Sequence, residues 1–541
     1  MIEISAAEGR FLADLHLALP RLLPDFLIGR RWFGGKARVI SSVEILDIVP
    51  VYRQALSWYL VLARVTYASG PAETYDVPVV RLPEEAPLMN RESASVMRIR
   101  GQDSQEEIVL ADALSDQRFL ATLLDTIAEG GYFRGAGGEV RAVSTPALAT
   151  LWQPSRGSLS PSLMNAEQSN SSVVYGQCLV LKIFRRVEEG LNPDLEIGTF
   201  LTEKTSFRNA PAAAGYLEYV NRDGKRTSLG VLQGYVANQG DAWKFTLENL
   251  AEYYKTALEA GGLALSEIPS DPILALSSHA IPDQGRKRIG PYLAAAELLG
   301  RRTAELHLAL ASEQNDSEFT PIPFSQDERQ TLVNSSVALL TSNFDLLRRR
   351  KDAMPVLLRE EADRILRLEG KARQRFQTLG GSQLSAMLTR IHGDYHLGQV
   401  LFTGSDFVII DFEGEPARPL QERRKKRSPL QDVAGMLRSF HYAAYAPLLG
   451  TTATQDFDGN PLALGNSACY WQKWVSAAFL KTYLEVSRGS LFIPESREEL
   501  ALLLDAYLLD KAVYELGYEL NNRPSWVGIP LGGISQLLLP G

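Results

Sequence analysis

The sequence predicts an α+β protein with a β-rich first half and a helical second half. Residues 42–52 (SVEILDIVPVY), 58–67 (WYLVLARVTY) and 74–82 (TYDVPVVRL) are rich in β-branched and aromatic residues, and the last two alternate apolar with polar positions. Residues 291–312 and 497–522 instead carry long helical periodicity with clear ends, the second stopped by Arg523-Pro524. Inside the helical half lies one β-rich island, residues 387–413.

Taken in order, residues 1–30 read as one or two amphipathic helices ending at Gly29, and the strands after them complete a small α+β unit over 1–104. A second unit is expected over 105–236. Residues 105–129 carry helical periodicity up to Gly130-Gly131, and 130–172 are rich enough in Gly, Ser, Pro and Asn to read as loops. SSVVYG and CLVLKIFRR form a hairpin through Gly176-Gln177. Asn192-Pro193-Asp194 opens a helix, with a capping side chain, proline at the first position and an acid in the first turn. Strands follow at 214–220 and 228–236, and 237–541 is the helical unit.

Composition excludes several classes. Lys+Arg of 56 against Asp+Glu of 64 gives a net charge of −8, without the basic footprint of a nucleic-acid binder. Two cysteines far apart, Cys178 and Cys469, build neither a disulfide framework nor a Cys-rich metal site, so a reducing cytoplasm is expected. The most apolar early stretch, residues 11–29, is cut by Asp14, Pro20, Arg21, Pro24 and Asp25, so neither a membrane span nor an export segment is expected.

The chemistry concentrates in TRIHGDYHLGQVLFTGSDFVIIDFEGEP, residues 389–416. A loop bearing His392, Asp394, His396 and Gln399 runs into one short apolar strand, and a second strand ends at Asp411. Each arm is only a few residues long at roughly 3.3 Å per residue, so the two acids can converge on one spot. One acid can then accept a proton while the other holds a cation, as phosphoryl transfer to a hydroxyl requires.

HGD-x-H-x-x-Q followed by IDF resembles the catalytic and metal loops of the protein kinase-like fold in its small-molecule branch, which includes aminoglycoside phosphotransferases and choline kinases. RRWFGGK, EQSNSS, HGDYHLGQVLF, IDFEGEPARP, QDVAGMLRSF and YELNNRPSW, in that order, are similar specifically to maltokinases. The resemblance implies a bilobal kinase-like fold with an extra N-terminal cap, and ATP-dependent phosphorylation of maltose at its anomeric hydroxyl with Mg²⁺. A kinase for another sugar or amino sugar such as glucosamine, and a catalytically silent binding partner of trehalose or α-glucan enzymes, are the alternatives. It also implies a trehalose synthase as a pathway partner.

Residue by residue, the resemblance makes Asp394 the base and Asp411 a Mg²⁺ ligand, with Gln399 as a second metal contact. Glu413 replaces the glycine of Asp-Phe-Gly and adds a carboxylate near the metal, so a rigid metal loop is expected. Lys182 would hold the ATP phosphates with Glu196 as its partner, Glu188 and Glu189 being alternatives; Arg185, Arg186, Glu188 and Glu189 read as surface ion pairs. The polar hairpin Asn165–Ser172, with Ser169, Asn170 and Ser171, would cover the phosphates in place of a glycine-rich loop, and adenine would lie near Gln233, Tyr235 and Val236. Lys511, Tyr514, Glu515 and Tyr518 fall on one helical face, which suits Lys511, Tyr514 and Tyr518 to a sugar. Arg438 and His396 are further substrate candidates. Asp432 is expected to brace the catalytic loop, His392 to be architectural, and the basic run 423–427 to be a solvated loop.

Overall fold

The structure is a computed structural model that describes residues 6–53, 56–82, 97–100, 107–153, 157, 159–164, 169–449 and 461–539. The chain divides into two compact units, one of residues 1–204 and 211–237 and one of residues 205–210 and 238–541.

The first unit opens with α1 (Ala6–Ile28), a single helix despite Pro20 and Pro24. Leu15, Leu19, Leu23 and Leu27 recur at i+4 and are fully buried, which gives the helix a continuous apolar stripe. That stripe packs on a sheet of β1 (Ile40–Arg53), β2 (Leu56–Tyr67), β3 (Glu73–Leu82), β4 (Met97–Arg100) and β5 (Glu107–Asp112), in the order β1-β2-β3-β5-β4. Along β2, Tyr59, Val61, Ala63 and Val65 face α1, whereas Trp58, Leu60 and Leu62 enter a second core on the opposite side. The period of two therefore buries both faces of the sheet.

The second core is shared with α2 (Gln117–Glu129) and a seven-stranded sheet. α2 is capped by the Asp116 carboxylate, which accepts from the Arg118 N–H at 2.9 Å, and it ends at left-handed Gly130. The sheet comprises β6 (Tyr132–Arg134), β7 (Gly138–Ser144), β8 (Pro161–Leu163), β9 (Asn170–Tyr175), β10 (Leu179–Phe184), β12 (Ala213–Asn221) and β13 (Arg226–Gly234), ordered β6-β7-β12-β13-β10-β9-β8. Between β10 and β12 the chain leaves this sheet: β11 (Arg186–Val187) pairs with β3 of the first. α3 (Pro146–Leu151) and α4 (Pro193–Lys204) complete the unit, and Asp194 N–H donates to the Asn192 side chain at 2.8 Å as the Asn-Pro-Asp signature predicts.

The structure departs from the sequence reading at several points in this unit, β6, α3 and β8 among them, since all three lie in residues expected as loops. Residues 107–112, expected as helix, are strand β5, because Ile108 and Leu110 on one face and Ala111 on the other fill the two cores of the first sheet. This strand also carries the first sheet past residue 104. Residues 138–144, expected as loop, are β7, whose buried Val140 and Ala142 alternate with outward residues after a glycine-rich run and before Thr145-Pro146.

The second unit is helical: α5 (Ala242–Glu259), α6 (Tyr292–Leu310), α7 (Gln326–Arg350), α8 (Leu430–Tyr445), α9 (Pro461–Val486), α10 (Arg497–Asn522) and α11 (Gly528–Leu538) are its main elements. α9 packs along α6, and α10 packs against both α7 and α8. Gly300 of α6 lies against the Phe479 carbonyl of α9, leaving no room for a side chain. α8 is buried on nearly every face, so it is the spine of this unit. A two-stranded hairpin, β14 (Val400–Phe402) and β15 (Phe407–Ile409), sits among these helices, with Asp406 in its turn held by both guanidinium arms of Arg302 at 2.8 Å. No helix among the described residues is long and apolar enough to cross a membrane.

One buried acid in the first unit makes a measurable prediction. Asp76 on β3 is 1% exposed, and burial raises its pKa to about 7, with Arg185 opposing and Asp112 adding to the shift. The folded-state pKa lies above the unfolded value of 3.8, so the stabilisation from this group is complete below that value and is lost as pH rises through about 7. Asp76→Asn is expected to flatten the fall in melting temperature between about pH 4 and pH 7 relative to the unsubstituted protein. Superimposable melting profiles for the two proteins would remove Asp76 as the cause.

Candidate functional site

In the second unit the site is built on the loop that precedes β14. The Asp432 carboxylate, 1% exposed at the start of α8, accepts from two consecutive loop amides: His392 N–H at 2.7 Å and Gly393 N–H at 2.9 Å. His307 of α6 approaches the same carboxylate through Nε2 at 3.1 Å and reaches the Tyr483 hydroxyl through Nδ1 at 3.0 Å. The loop is thus pinned from α6, α8 and α9 immediately before Asp394. This is the bracing expected of Asp432.

His392 is architectural. Its Nε2 lies 2.9 Å from the Ile410 carbonyl and its ring packs against Tyr395 and Phe412, so it ties this loop to the strand that leads to Asp411. The loops meet closely: a Cβ on Gly393 would come within 3.3 Å of the Gly414 Cα, and both glycines have positive φ, 84° and 69°. Gln399 and Asp411 come to one end of the hairpin because Ile410 N–H donates to the Gln399 carbonyl at 3.0 Å, just beyond the Val400–Ile409 pair.

Asp411 has φ 67° and is the one non-glycine residue with positive φ among the described residues. Such a backbone costs about 1–3 kcal/mol and is retained where its surroundings fix it, typically at ligand sites. Phe412 is 1% exposed and packs on His392. Glu413 is held by Arg423, whose Nη1 donates to the Glu413 carbonyl at 3.1 Å and lies 3.8 Å from its carboxylate. The left-handed glycine that Glu413 displaces from the motif reappears one residue later as Gly414.

A cavity beside Asp394 is lined by Glu415, Arg418, Gln431, Asp432, Asp510, Lys511 and Tyr514. Lys511 Nζ lies 3.6 Å from Asp394 Oδ1 and above the Tyr514 ring at 5.0 Å. Arg418 Nε donates to Glu415 at 2.8 Å, and the Tyr514 phenol is pushed up by burial and by the adjacent Glu415 carboxylate. Burial also raises the Asp510 pKa, against the Ser336 hydroxyl donating to it at 2.6 Å. Glu415, Arg418, Gln431 and Asp510 were missed in the sequence, although IDFEGEPARP contains the first two. Nothing in their spacing sets them apart from surface polar residues: Glu415 and Arg418 follow the turn at Gly414, while Gln431 and Asp510 come from α8 and α10.

The remaining expectations fall outside this cavity lining. Arg438 is 4% exposed and donates through Nε and Nη2 to Glu515 at 2.9 and 2.7 Å, a buried pair that braces α8 on α10. Tyr518 is 46% exposed, with the Arg523 guanidinium over its ring. Arg523 also pairs with Glu519 at 2.6 Å and covers Trp526, so YELNNRPSW forms a packed helix terminus. His396 caps the turn Leu397–Gln399 by accepting from Gly398 N–H at Nδ1, and burial lowers its pKa, so the ring is neutral at neutral pH. The basic run is not a solvated loop. Arg424 pairs with Glu318 at 3.0 Å, Lys426 donates to the Ser317 carbonyl at 2.6 Å, and Arg423 is buried against Glu413.

In the first unit, Lys182 on β10 is 8% exposed and donates to Asp194 at 3.0 Å. Asp194 is a carboxylate partner the sequence reading passed over for Glu196, which is buried one half-turn further along α4. Ser171 and Ser172 lie on β9 opposite Ile183 and Lys182, and Asn170 opposite Phe184; Ser169 is exposed just before the strand. Residues 165–168 of the covering hairpin lie outside the described residues. Gln233 ends β13 opposite Val180, and Tyr235 N–H donates to the Cys178 carbonyl at 2.8 Å, so the Tyr235-Val236 backbone continues from the lysine strand's edge. Arg185 was misplaced as a surface ion-pair residue: it is 2% exposed, with Nε on Ser171 and Nη2 on Asp112, while Nη1 is buried without a hydrogen-bond partner among the described residues. Arg186, Glu188 and Glu189 do form outer pairs with Glu73, Arg186 and Lys225.

Residues 26–116 match the family model described as the maltokinase N-terminal cap domain. A glucosamine kinase of Mycolicibacterium smegmatis is 23% identical over 379 residues, covering 70% of this chain and 79% of the relative. One of Streptacidiphilus jiangxiensis is 23% identical over 390 residues, covering 69% and 72%. Two solved structures are similar over nearly the full length. One is a glucosamine kinase in complex with glucosamine, ADP and inorganic phosphate, with TM-score 0.59 and 18% identity over 95% of this chain and 97% of that one. The other is a glucosamine kinase crystal form with TM-score 0.60 and 19% identity over 98% of both chains. The fold is therefore the expected kinase-like α+β fold with an N-terminal cap.

The bracing makes a direct prediction. Asp432→Ala leaves two buried amides and His307 without their acceptor, and is expected to lower unfolding free energy by about 3 kcal/mol in denaturant titrations. Stability within about 0.5 kcal/mol of the unsubstituted protein would refute the bracing role.

Proposed function

We propose that this chain is an ATP- and Mg²⁺-dependent sugar kinase, and that its substrate is maltose, phosphorylated at the anomeric hydroxyl. The observation that carries the reading is Asp394, a half-buried carboxylate at the mouth of a polar cavity, held by a loop that Asp432 fixes from behind. In this reading Asp394 accepts the proton of the attacking hydroxyl, while Lys511 and Tyr514 orient the sugar ring from one side. Lys182, held by Asp194, meets the nucleotide phosphates, with β9 and its preceding hairpin around them and Tyr235-Val236 serving the base.

Asp411, Gln399 and Glu413 supply hard oxygen donors, the set that suits Mg²⁺. The left-handed backbone of Asp411 supports this fit, since it turns that residue away from the regular course of the strand before it. Bound there, the ion would neutralise charge on the transferring phosphate.

The balance of charge around the cavity favours a neutral sugar over an ammonium-bearing one. Each lining carboxylate already has a partner: Lys511 for Asp394, Arg418 for Glu415, two amides and His307 for Asp432, and Ser336 for Asp510. An ammonium group would have to displace one of these. The maltokinase cap match supports the same choice. Glucosamine is the second reading, favoured by the relatives that carry that name. A retained catalytic set argues against a silent scaffold, and a trehalose synthase as pathway partner remains part of the maltose reading. Adenine-nucleotide chemistry of this kind belongs in the cytoplasm.

ADP release measured over maltose, glucose, glucosamine and an aminoglycoside should be largest with maltose. Asp394→Asn should lower kcat by about 10²–10⁴-fold with sugar KM little changed. Glucosamine turned over faster than maltose would replace the substrate assignment, and full activity in Asp394→Asn would remove the base.

A further inference from the structure

Arg185 is the residue at which the chain passes from β10 of the second sheet to β11 of the first. Its guanidinium is buried and engages both. Nε donates to the Ser171 hydroxyl of β9 at 2.9 Å, Nη2 donates to Asp112 at the end of β5 at 2.9 Å, and the group lies 4.6 Å above the Trp32 ring. Its carbonyl accepts from Asp76 N–H of β3 at 2.8 Å. Asp112 also caps the turn after β5 by accepting from Leu114 N–H, so its position is fixed independently of Arg185. Trp32 is held in turn by Tyr75. One residue therefore joins three pieces of the cap to the strand opposite Lys182, two through its side chain and β3 through its carbonyl.

We infer that Arg185 is a positioning residue through which the N-terminal cap sets nucleotide affinity. The inference rests on the assignment of Lys182 and the β9 hairpin to the nucleotide. Ser171 pairs with Ile183, next to Lys182, so a guanidinium anchored on Asp112 and Trp32 fixes the start of β9 beside the strand that carries Lys182. A buried arginine with a charged acceptor, a hydroxyl acceptor and an aromatic face has little freedom to shift, which makes it a rigid coupling rather than a tether. This gives the RRWFGGK motif a role: Trp32 supplies the platform, and Gly35 allows Phe33 and Tyr67 to close around the turn.

The test is nucleotide affinity in the full-length protein, read by calorimetry with ATP alone and by KM for ATP and for sugar. Arg185→Met is expected to weaken ATP about tenfold while leaving the sugar KM unchanged, and Arg185→Lys to recover part of the loss. Lys182→Ala is the reference. If it leaves ATP affinity unchanged, the nucleotide assignment itself is wrong. If Lys182→Ala loses affinity while Arg185→Met keeps it, the coupling is overturned. Should Arg185→Met not fold, Trp32→Leu on the cap side carries the same expectation, and unchanged ATP affinity there overturns the inference equally.

Discussion

A carboxylate that takes two successive backbone N–H groups, as Asp432 does from His392 and Gly393, fixes the direction in which the chain leaves that point. The second unit depends on this. Asp394 follows immediately, so its side chain is aimed by a group on another helix rather than by its own loop. Because His307 and Tyr483 extend the chain of contacts to α6 and α9, any shift of these helices is felt at Asp394. His392 then transmits the same constraint to Ile410, and the two opposed glycines leave no slack between the loops.

The cavity follows a matching logic. Its acids are numerous but committed, and its cations are drawn from two different segments, Arg418 from the turn after Gly414 and Lys511 from α10. A site of this kind presents directional donors and acceptors more than net charge. That is the demand a hydroxyl-rich ligand makes, since each hydroxyl both gives and takes a hydrogen bond. The segment after Asp411 is also more firmly held than a free loop, with Arg423, Arg424 and Lys426 each fastened to a different neighbour.

Much of this was legible in the sequence where local pattern and tertiary role agree. The hairpin that brings Gln399 beside Asp411, the capped helix after Asn192, and Lys511 with Tyr514 on one face follow from turn chemistry and helical spacing. Reading failed where the deciding partner is remote. Residues 107–112 are strand because β3 and β4 flank them, and 138–144 because β12 does. Arg185 looked like its basic neighbour Arg186, yet one is interior and the other not, a difference set by Asp112 and Trp32 many residues upstream. Tyr518 shares a helical face with Lys511 and Tyr514, but a stripe says nothing of how far along it a cavity extends.

The short strand Arg186–Val187 gives the first sheet a member that arrives long after the others. A fragment stopping near residue 116, where the matched family model ends, would lack it and leave part of β3 without its partner strand. The cap is consequently no detachable module. Grafting it onto another scaffold, or exchanging it for a relative's, means carrying residues 185–187 along.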